Sequence, residues 1–253
     1  MQNASLAATE GYRRFIVQSA QMFVSDSESL QSALAAHNLV GAKASELAAQ
    51  AEFDDIRPQV TWGTRTALDL DGRADQFPPG TAFLGLHRIE EGLWGGSVPS
   101  GVVDALVAEG PAIQFSLART ILTPQSILKA DVYELDWVDS AAVPGREEMY
   151  SHLDTIDVEA GVHAARAGFD VVEQLGDLLA TAQTHTVAAR FDSLIDALVA
   201  LGPAGAEPDS AVTGIAWRSV GQQVDATASA LAVLASQLGS GGTGAGYGSY
   251  GRY

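Results

Sequence analysis

Apolar residues recurring at helical steps constrain this chain more than any other feature. Between Leu6 and Ala36 they are Tyr12, Phe15, Ile16, Phe23, Leu30 and Leu34, which line one face of an amphipathic helix turned toward a core. Ser19 and Asp26 interrupt that stripe, so the helix is expected to turn a polar group inward. The pattern resumes as an alanine-rich helix from Val40 to Ile56, disturbed at its end by Pro58. A short apolar helix is expected over Thr81 to Trp94, closed by Gly95-Gly96, and another over Ser100 to Leu122, kinked or broken at Gly110-Pro111. Thr123-Pro124 is a helix start, and Val143-Pro144-Gly145 ends that element. Further helices are expected over Glu147 to Ala182, Phe191 to Leu201 and Asp209 to Leu238. Val60, Trp62, Leu68 and Leu70 alternate like a strand, but no second strand is in sight to pair with it. The fold expected is all-α, with seven or eight helices packed as bundles.

Composition narrows the function. The 253 residues are 47% hydrophobic and only 18% charged, which excludes global disorder. Lys+Arg 14 against Asp+Glu 31 leaves a net charge of −17, the wrong sign for nucleic acid, which needs a basic footprint. The absence of cysteine removes disulfides, thiolate catalysis and Cys-type zinc sites. The longest uncharged run, after Asp225, turns to Gly and Ser beyond Leu238, too short for a membrane span. Met-Gln-Asn-Ala-Ser-Leu at the start lacks the character of a signal peptide, so the chain reads as cytosolic or as mature protein without its leader. Residues 1–239 are expected to form the helical domain. Residues 240–253 read as a flexible Gly/Tyr-rich tail holding three of the six tyrosines.

Chemistry concentrates in three places. His87 and Glu90 lie three apart on an expected helix, so imidazole and carboxylate share a face and can grip one ion. By spacing alone, a histidine bonded to its neighbour fits as well. The His-Glu-x-x-His zinc motif is excluded, because no second histidine sits one turn away. A second acidic group is Asp69, Asp71 and Asp75 around Arg73, and a third runs through Glu147, Glu148, Asp154, Asp157 and Glu159. Acids of the third group suit a helix start through the dipole. Asp154 and Asp157 would project together into a helix packed on two sides. His37 ends a helix, and His163 and His185 lack acidic neighbours at ligand spacing and read as surface residues. Trp62, Trp94, Trp137 and Trp217 read as core anchors.

With these residues in view, Leu84-Gly85-Leu86-His87-Arg88-Ile89-Glu90-Glu91-Gly92-Leu93-Trp94 resembles the Gly-x-His-x-x-Glu signature of imelysin-like proteins, closest to the EfeO-type iron-uptake branch. Further steps resemble it in order: Tyr12-Arg13, Ala42-Lys43-Ala44, Ile56-Arg57-Pro58, Leu70-Asp71-Gly72-Arg73, Pro144-Gly145-Arg146-Glu147 and Tyr150-Ser151-His152-Leu153-Asp154. The resemblance covers Leu6 to Leu238. It implies two helical bundles with a cleft between them, export to the periplasm or cell surface, and capture of iron or another metal ion. The short form without a cupredoxin domain is the one resembled. Metal ligands so implied are His87, Glu90, Asp71, Asp154 and Asp157. Arg57 and Thr61 depart from the pattern, standing where the branch carries carboxylates.

Three readings follow. The first is a metal-binding component of an iron-uptake system, its partners an iron permease or peroxidase. The ion would be iron, with zinc or another divalent cation as alternatives. The second is a scaffold that keeps the fold and has lost the site, which Arg57 favours. The third, an imelysin-type metallopeptidase, ranks last; no catalytic residue is assigned.

Overall fold

The computed structural model describes residues 1–60, 65–81, 83–99, 101–205, 212 and 214–240. Thr61, Trp62 and residues 241–253 of the expected tail lie outside them. The described chain is all-α. Its helices are α1 (Gln2–Ala35), α2 (Leu39–Ile56), α3 (Arg65–Asp71), α4 (Leu86–Gly95), α5 (Val102–Arg119), α6 (Pro124–Trp137), α7 (Thr155–Val199) and α8 (Gly214–Ser240). No strand occurs among the described residues; Leu68 and Leu70, read above as alternating, belong to α3.

The stripe of α1 buries Tyr12, Ile16, Phe23 and Leu30 against α2 and α5. Asn38 starts α2 by accepting a hydrogen bond from the Gly41 N–H at 3.0 Å, an N-cap that satisfies an otherwise orphaned donor. The α5 helix continues through Pro111, so of the kink or break expected at Gly110-Pro111 the break does not occur. The Arg13 guanidinium of α1 donates to the Ala118 and Thr120 carbonyls at its far end, at 2.8 and 2.9 Å, and so serves the carbonyls a helix terminus leaves free. Thr123 caps α6 as its sequence predicts, accepting from the Ser126 N–H at 3.0 Å. The chain then continues α6 as a five-residue π-helical turn, Val138–Ala142.

The α7 element is not one straight rod. Ala180 has φ −151° and ψ 45°, outside helical space. Phe169 and Phe191 stack with ring centroids 5.6 Å apart, although 22 residues of straight helix would separate them by roughly 33 Å. The chain therefore reverses at Ala180, and its arms, 155–179 and 181–199, pack antiparallel. Arg166 reaching Asp192 at 3.5 Å and His185 lying 3.7 Å from Asp177 follow from the same reversal. Two helices were expected here. The structure joins them tightly, and residues 183–190 are helical too.

Packing sorts the helices into two groups. One contains α1, α2, α4 and α5; the other contains α6, both arms of α7, and α8. Contacts of α7 with α1 and α2 join them, and the buried apolar side chains form one continuous core. Phe169 and Phe191 are fully buried within it. Phe191→Ala should cost about 3–5 kcal/mol of stability, read as a shift of the urea unfolding midpoint.

Candidate metal centre

The join between the two groups is polar. Where α2, α3, α4, α6 and the start of α7 meet, the core holds Glu46, Gln50, Asp54, Arg57, Asp71, His87, Glu90, Glu134, Glu147, Glu148, Asp154 and Asp157, all essentially excluded from solvent. The residues expected to line a cleft are therefore buried, His87 at 2% exposure and Glu90 at 0%.

Local chain geometry delivers the His87/Glu90 pair. Gly85 precedes α4 with φ +85°, a conformation that favours glycine, and a Cβ there would run into the Leu70 carbonyl. The start of α4 can thus lie directly against the end of α3, which brings His87 Nε2 to 3.4 Å from Asp71 Oδ1. One oxygen of Glu90, Oε1, accepts the backbone N–H groups of Tyr150 and Ser151 at 2.8 and 2.7 Å. The other, Oε2, has no hydrogen bond and lies 3.5 Å from His87 Nδ1.

The segment supplying the third wall is not the helix expected from Glu147. The α7 helix begins at Thr155, and residues 143–154 form a π-turn exit and loop. Asp154 explains this, since its Oδ1 accepts the N–H groups of Glu147 and Glu148 at 3.0 and 3.2 Å. Glu90 takes the amides of Tyr150 and Ser151, and His152 adopts φ +58°. Side-chain acceptors replace the carbonyls a helix would have used. Ser151 then donates its hydroxyl to Glu148 Oε2 at 2.5 Å, leaving Glu148 Oε1 without a hydrogen bond.

The structure places Glu148 beside two of the expected ligands, His87 and Glu90. His87, Glu90 and Glu148 each bring a ligand atom to within 4.8 Å of the others, and all three are buried. Asp71 lies at the edge of this trio, but Arg57 Nε bonds its Oδ2 at 3.2 Å and Gln50 its Oδ1 at 3.1 Å. Asp154 shapes the loop through its contacts with the Glu147 and Glu148 amides. Asp157 is fully buried with neither oxygen hydrogen-bonded. Glu148 was read only as one acid of a helix start, and Glu46 was not singled out. A signal for Glu46 was present: it sits on the same helical stripe as Ala42, Ala49 and Phe53 of α2, all buried.

Arg57 dominates the opposite side of the cluster. Its guanidinium is fully buried and bonds Asp54, Asp71 and Glu134, the last at 2.9 Å, with its Cζ 3.3 Å from the centre of the Trp137 ring. Burial disfavours the charge, but Glu134 and Asp71 more than reverse that and raise its pKa further. Glu134 itself is pushed up to about 7 by burial, with Arg57 pulling the other way.

His87 follows a similar balance: burial pushes its imidazole down, and Glu147, Glu90 and Asp71 together hold it well above the usual range. Nε2 lies 3.1 Å from Glu147 Oε2, but off the N–H direction, so neither ring nitrogen has a hydrogen bond. This contact is electrostatic. Burial also pushes up Glu147, but His87, Arg73 and Arg57 bring it below the usual carboxylate range. Glu148 and Asp157 are held well above that range, chiefly by burial.

Fold and site together define an all-helical protein with a buried histidine–carboxylate cluster between two helix groups. By sequence, the chain is similar to the iron uptake system component EfeO of Escherichia coli K12 and of Shigella flexneri, 23% identical over 171 residues to each. The same component of Escherichia coli O1:K1 is 22% identical over 171 residues. Each match covers 65% of this chain and 46% of the relative, so the chain spans about half the length of the curated relatives it matches. No family model matches the chain. No helix among the described residues is long and apolar enough to cross a membrane.

A smaller polar group lies apart from this cluster. His163 of α7, read as an unaccompanied surface residue, contacts Asp55 of α2, Nδ1 to Oδ1 at 2.9 Å; Ser19, the polar interruption in α1, donates to Asp55 Oδ2 at 3.0 Å. Beside them burial pushes Glu52 from 4.5 up to about 7, helped by the charges of Asp55 and Asp26. The folded protein thus holds a proton on Glu52 that the unfolded chain releases. Its contribution is present below pH 4.5 and lost as pH rises from 4.5 to about 7. Across that window the urea midpoint of Glu52→Gln should fall less than that of the wild type.

Proposed function

We propose that this chain captures a metal ion, iron foremost, for an EfeO-type uptake system, and that it is an imelysin-like protein of the short form. The observation that carries this reading is the convergence of His87 with the free oxygens of Glu90 and Glu148, all buried and within 4.8 Å of one another. One nitrogen with several carboxylate oxygens suits iron or zinc. Asp157, buried without a hydrogen bond, and Asp71 stand next to the trio as further donors, with Asp154 holding the loop that presents Glu148. Similarity to relatives named as iron uptake system components supports iron as the cargo; the resemblance read in the sequence motifs adds, in this reading, a permease or peroxidase of the same system as partner and a periplasmic or cell-surface location. Residues 1–239 make the functional domain in this reading. Residues 240–253 contain no carboxylate side chain, imidazole or thiolate and add no ligand to the site.

Burial separates capture from hydrolysis. A metallopeptidase must admit a peptide backbone and keep an open coordination position, and groups at 0–2% exposure favour a site that encloses an ion. The scaffold reading has its own observation, the three carboxylates already engaged by the one guanidinium of Arg57.

Calorimetric titration of metal-free protein with Zn(II), and with Fe(II) under anaerobic conditions, discriminates the two. Capture requires one ion per chain, weakened about tenfold or more by each of His87→Ala, Glu90→Ala and Glu148→Ala. Absence of binding in the wild type, with binding restored in Arg57→Glu, would establish that the arginine has taken the ion's place and that the scaffold reading is correct.

A further inference from the structure

Glu46 projects from the middle of α2 and is fully buried. It lies on the face that buries Ala42, Ala49, Gln50 and Phe53, and α2 packs against α1, α4 and α7. Gln50, one turn further along, bonds Asp71, and Asp71 in turn lies against His87. Glu46 therefore occupies the α2 wall of the polar junction. Neither of its carboxylate oxygens has a hydrogen bond, and no described residue forms a salt bridge with it.

That isolation sets Glu46 apart from carboxylates serving a structural purpose nearby. Glu90 Oε1 and Asp154 Oδ1 each collect two backbone N–H groups, and Asp71 is held by Arg57 and Gln50. A buried carboxylate without such partners is strongly unfavourable, and a cation is the missing complement. Burial first, then the charge of Glu90, holds the Glu46 carboxyl well above its usual range, with His87 opposing and Asp157 adding to the effect. Its electrostatic neighbours are thus the members of the candidate centre.

Building on the reading proposed above, we infer that Glu46 is a further ligand to the ion taken by His87, Glu90 and Glu148. The trio offers one imidazole nitrogen and two free carboxylate oxygens, Glu90 Oε2 and Glu148 Oε1. Metal ions of this class take about four to six ligand atoms, so the shell needs more. Glu46 supplies one or two oxygens from a third direction and brings the carboxylate charge to −3 around a neutral imidazole. Such a set suits a hard, highly charged cation, ferric iron above the softer divalent ions. Arg57 fits the same scheme from the other side, since it engages Asp54, Asp71 and Glu134 and so leaves the α2–α4–loop side to the ion.

The test compares wild type with Glu46→Gln, which keeps the volume and removes the charge, using Zn(II) as the probe. The dissociation constant should rise about tenfold or more at unchanged one-per-chain stoichiometry. The metal-free variant should melt no lower than the wild type, while the rise in melting temperature on adding Zn(II) shrinks. A structural role would lower the metal-free and Zn(II)-loaded forms together and leave the dissociation constant unchanged; that result overturns the assignment of Glu46 while leaving the capture reading intact. Failure of the wild type itself to bind Zn(II) or anaerobic Fe(II) overturns the capture reading and Glu46 with it. Should Glu46→Gln fail to fold, Glu46→Asp keeps the charge and withdraws it by one methylene, and an unchanged dissociation constant there overturns the assignment equally.

Discussion

Buried charge must be compensated where water cannot reach it, and this fold turns on that constraint. Among the described residues Glu46, Asp54, Asp55, Asp71, Glu90, Asp131, Glu134, Glu147, Glu148, Asp154 and Asp157 are buried, against Arg57 and His87 as the buried bases. Isolated carboxylates in such a place would shift their pKa or destabilise the fold. Arg57 is the largest single answer, drawing α2, the end of α3 and α6 onto one guanidinium that the Trp137 ring covers. The remaining acids use other means. Glu90 and Asp154 take loop amides, Glu147 takes Arg73 and the His87 charge, and Glu148 and Asp157 are pushed toward the neutral form.

The apolar frame makes room for this junction. Gly161 and Gly168 lie two turns apart on the first arm of α7, and a Cβ at Gly161 would meet Glu134 Oε1 at 2.9 Å, while one at Gly168 would strike the Asp131 carboxylate. The acids of α6 can therefore lie directly against the α7 backbone. Reversal at Ala180 lets one connected element serve both as a wall of the junction and, through Phe169 and Phe191, as the centre of its own helix group.

Much of this was legible in the residue order. Helical periodicity gave the class of fold, and Thr123-Pro124 and Gly95-Gly96 marked real boundaries, because caps and breakers act locally. His87 and Glu90 were legible since an i, i+3 pair needs only a helix. The loop over 143–154 was not, because its stability comes from acceptors brought by Glu90, 60 residues away, and by Asp154, which local propensity reads as a helical acid. The chain reversal carries no glycine or proline at Ala180 to announce it, and its signature is a pair of distant phenylalanines. Arg57 was visible as a departure from a pattern with Asp54 one turn before it, whereas its other two partners, Asp71 and Glu134, come from elements further along the chain. Glu46 lay in plain view as an acid on an apolar stripe, and only packing shows that nothing answers it.

Glu90 links loop order to ligand geometry. One of its oxygens holds the loop through the Tyr150 and Ser151 amides, and the other points free beside His87. The loop residue Ser151 in turn fixes one oxygen of Glu148 and leaves the second unbonded. Each carboxylate thus spends one oxygen on placing its neighbour and keeps one for the centre. Preorganisation of this kind lowers the ordering entropy that binding would otherwise cost. It also means that a change in the loop and a change in the ligands cannot be independent, because α4 and residues 147–151 share the same two side chains.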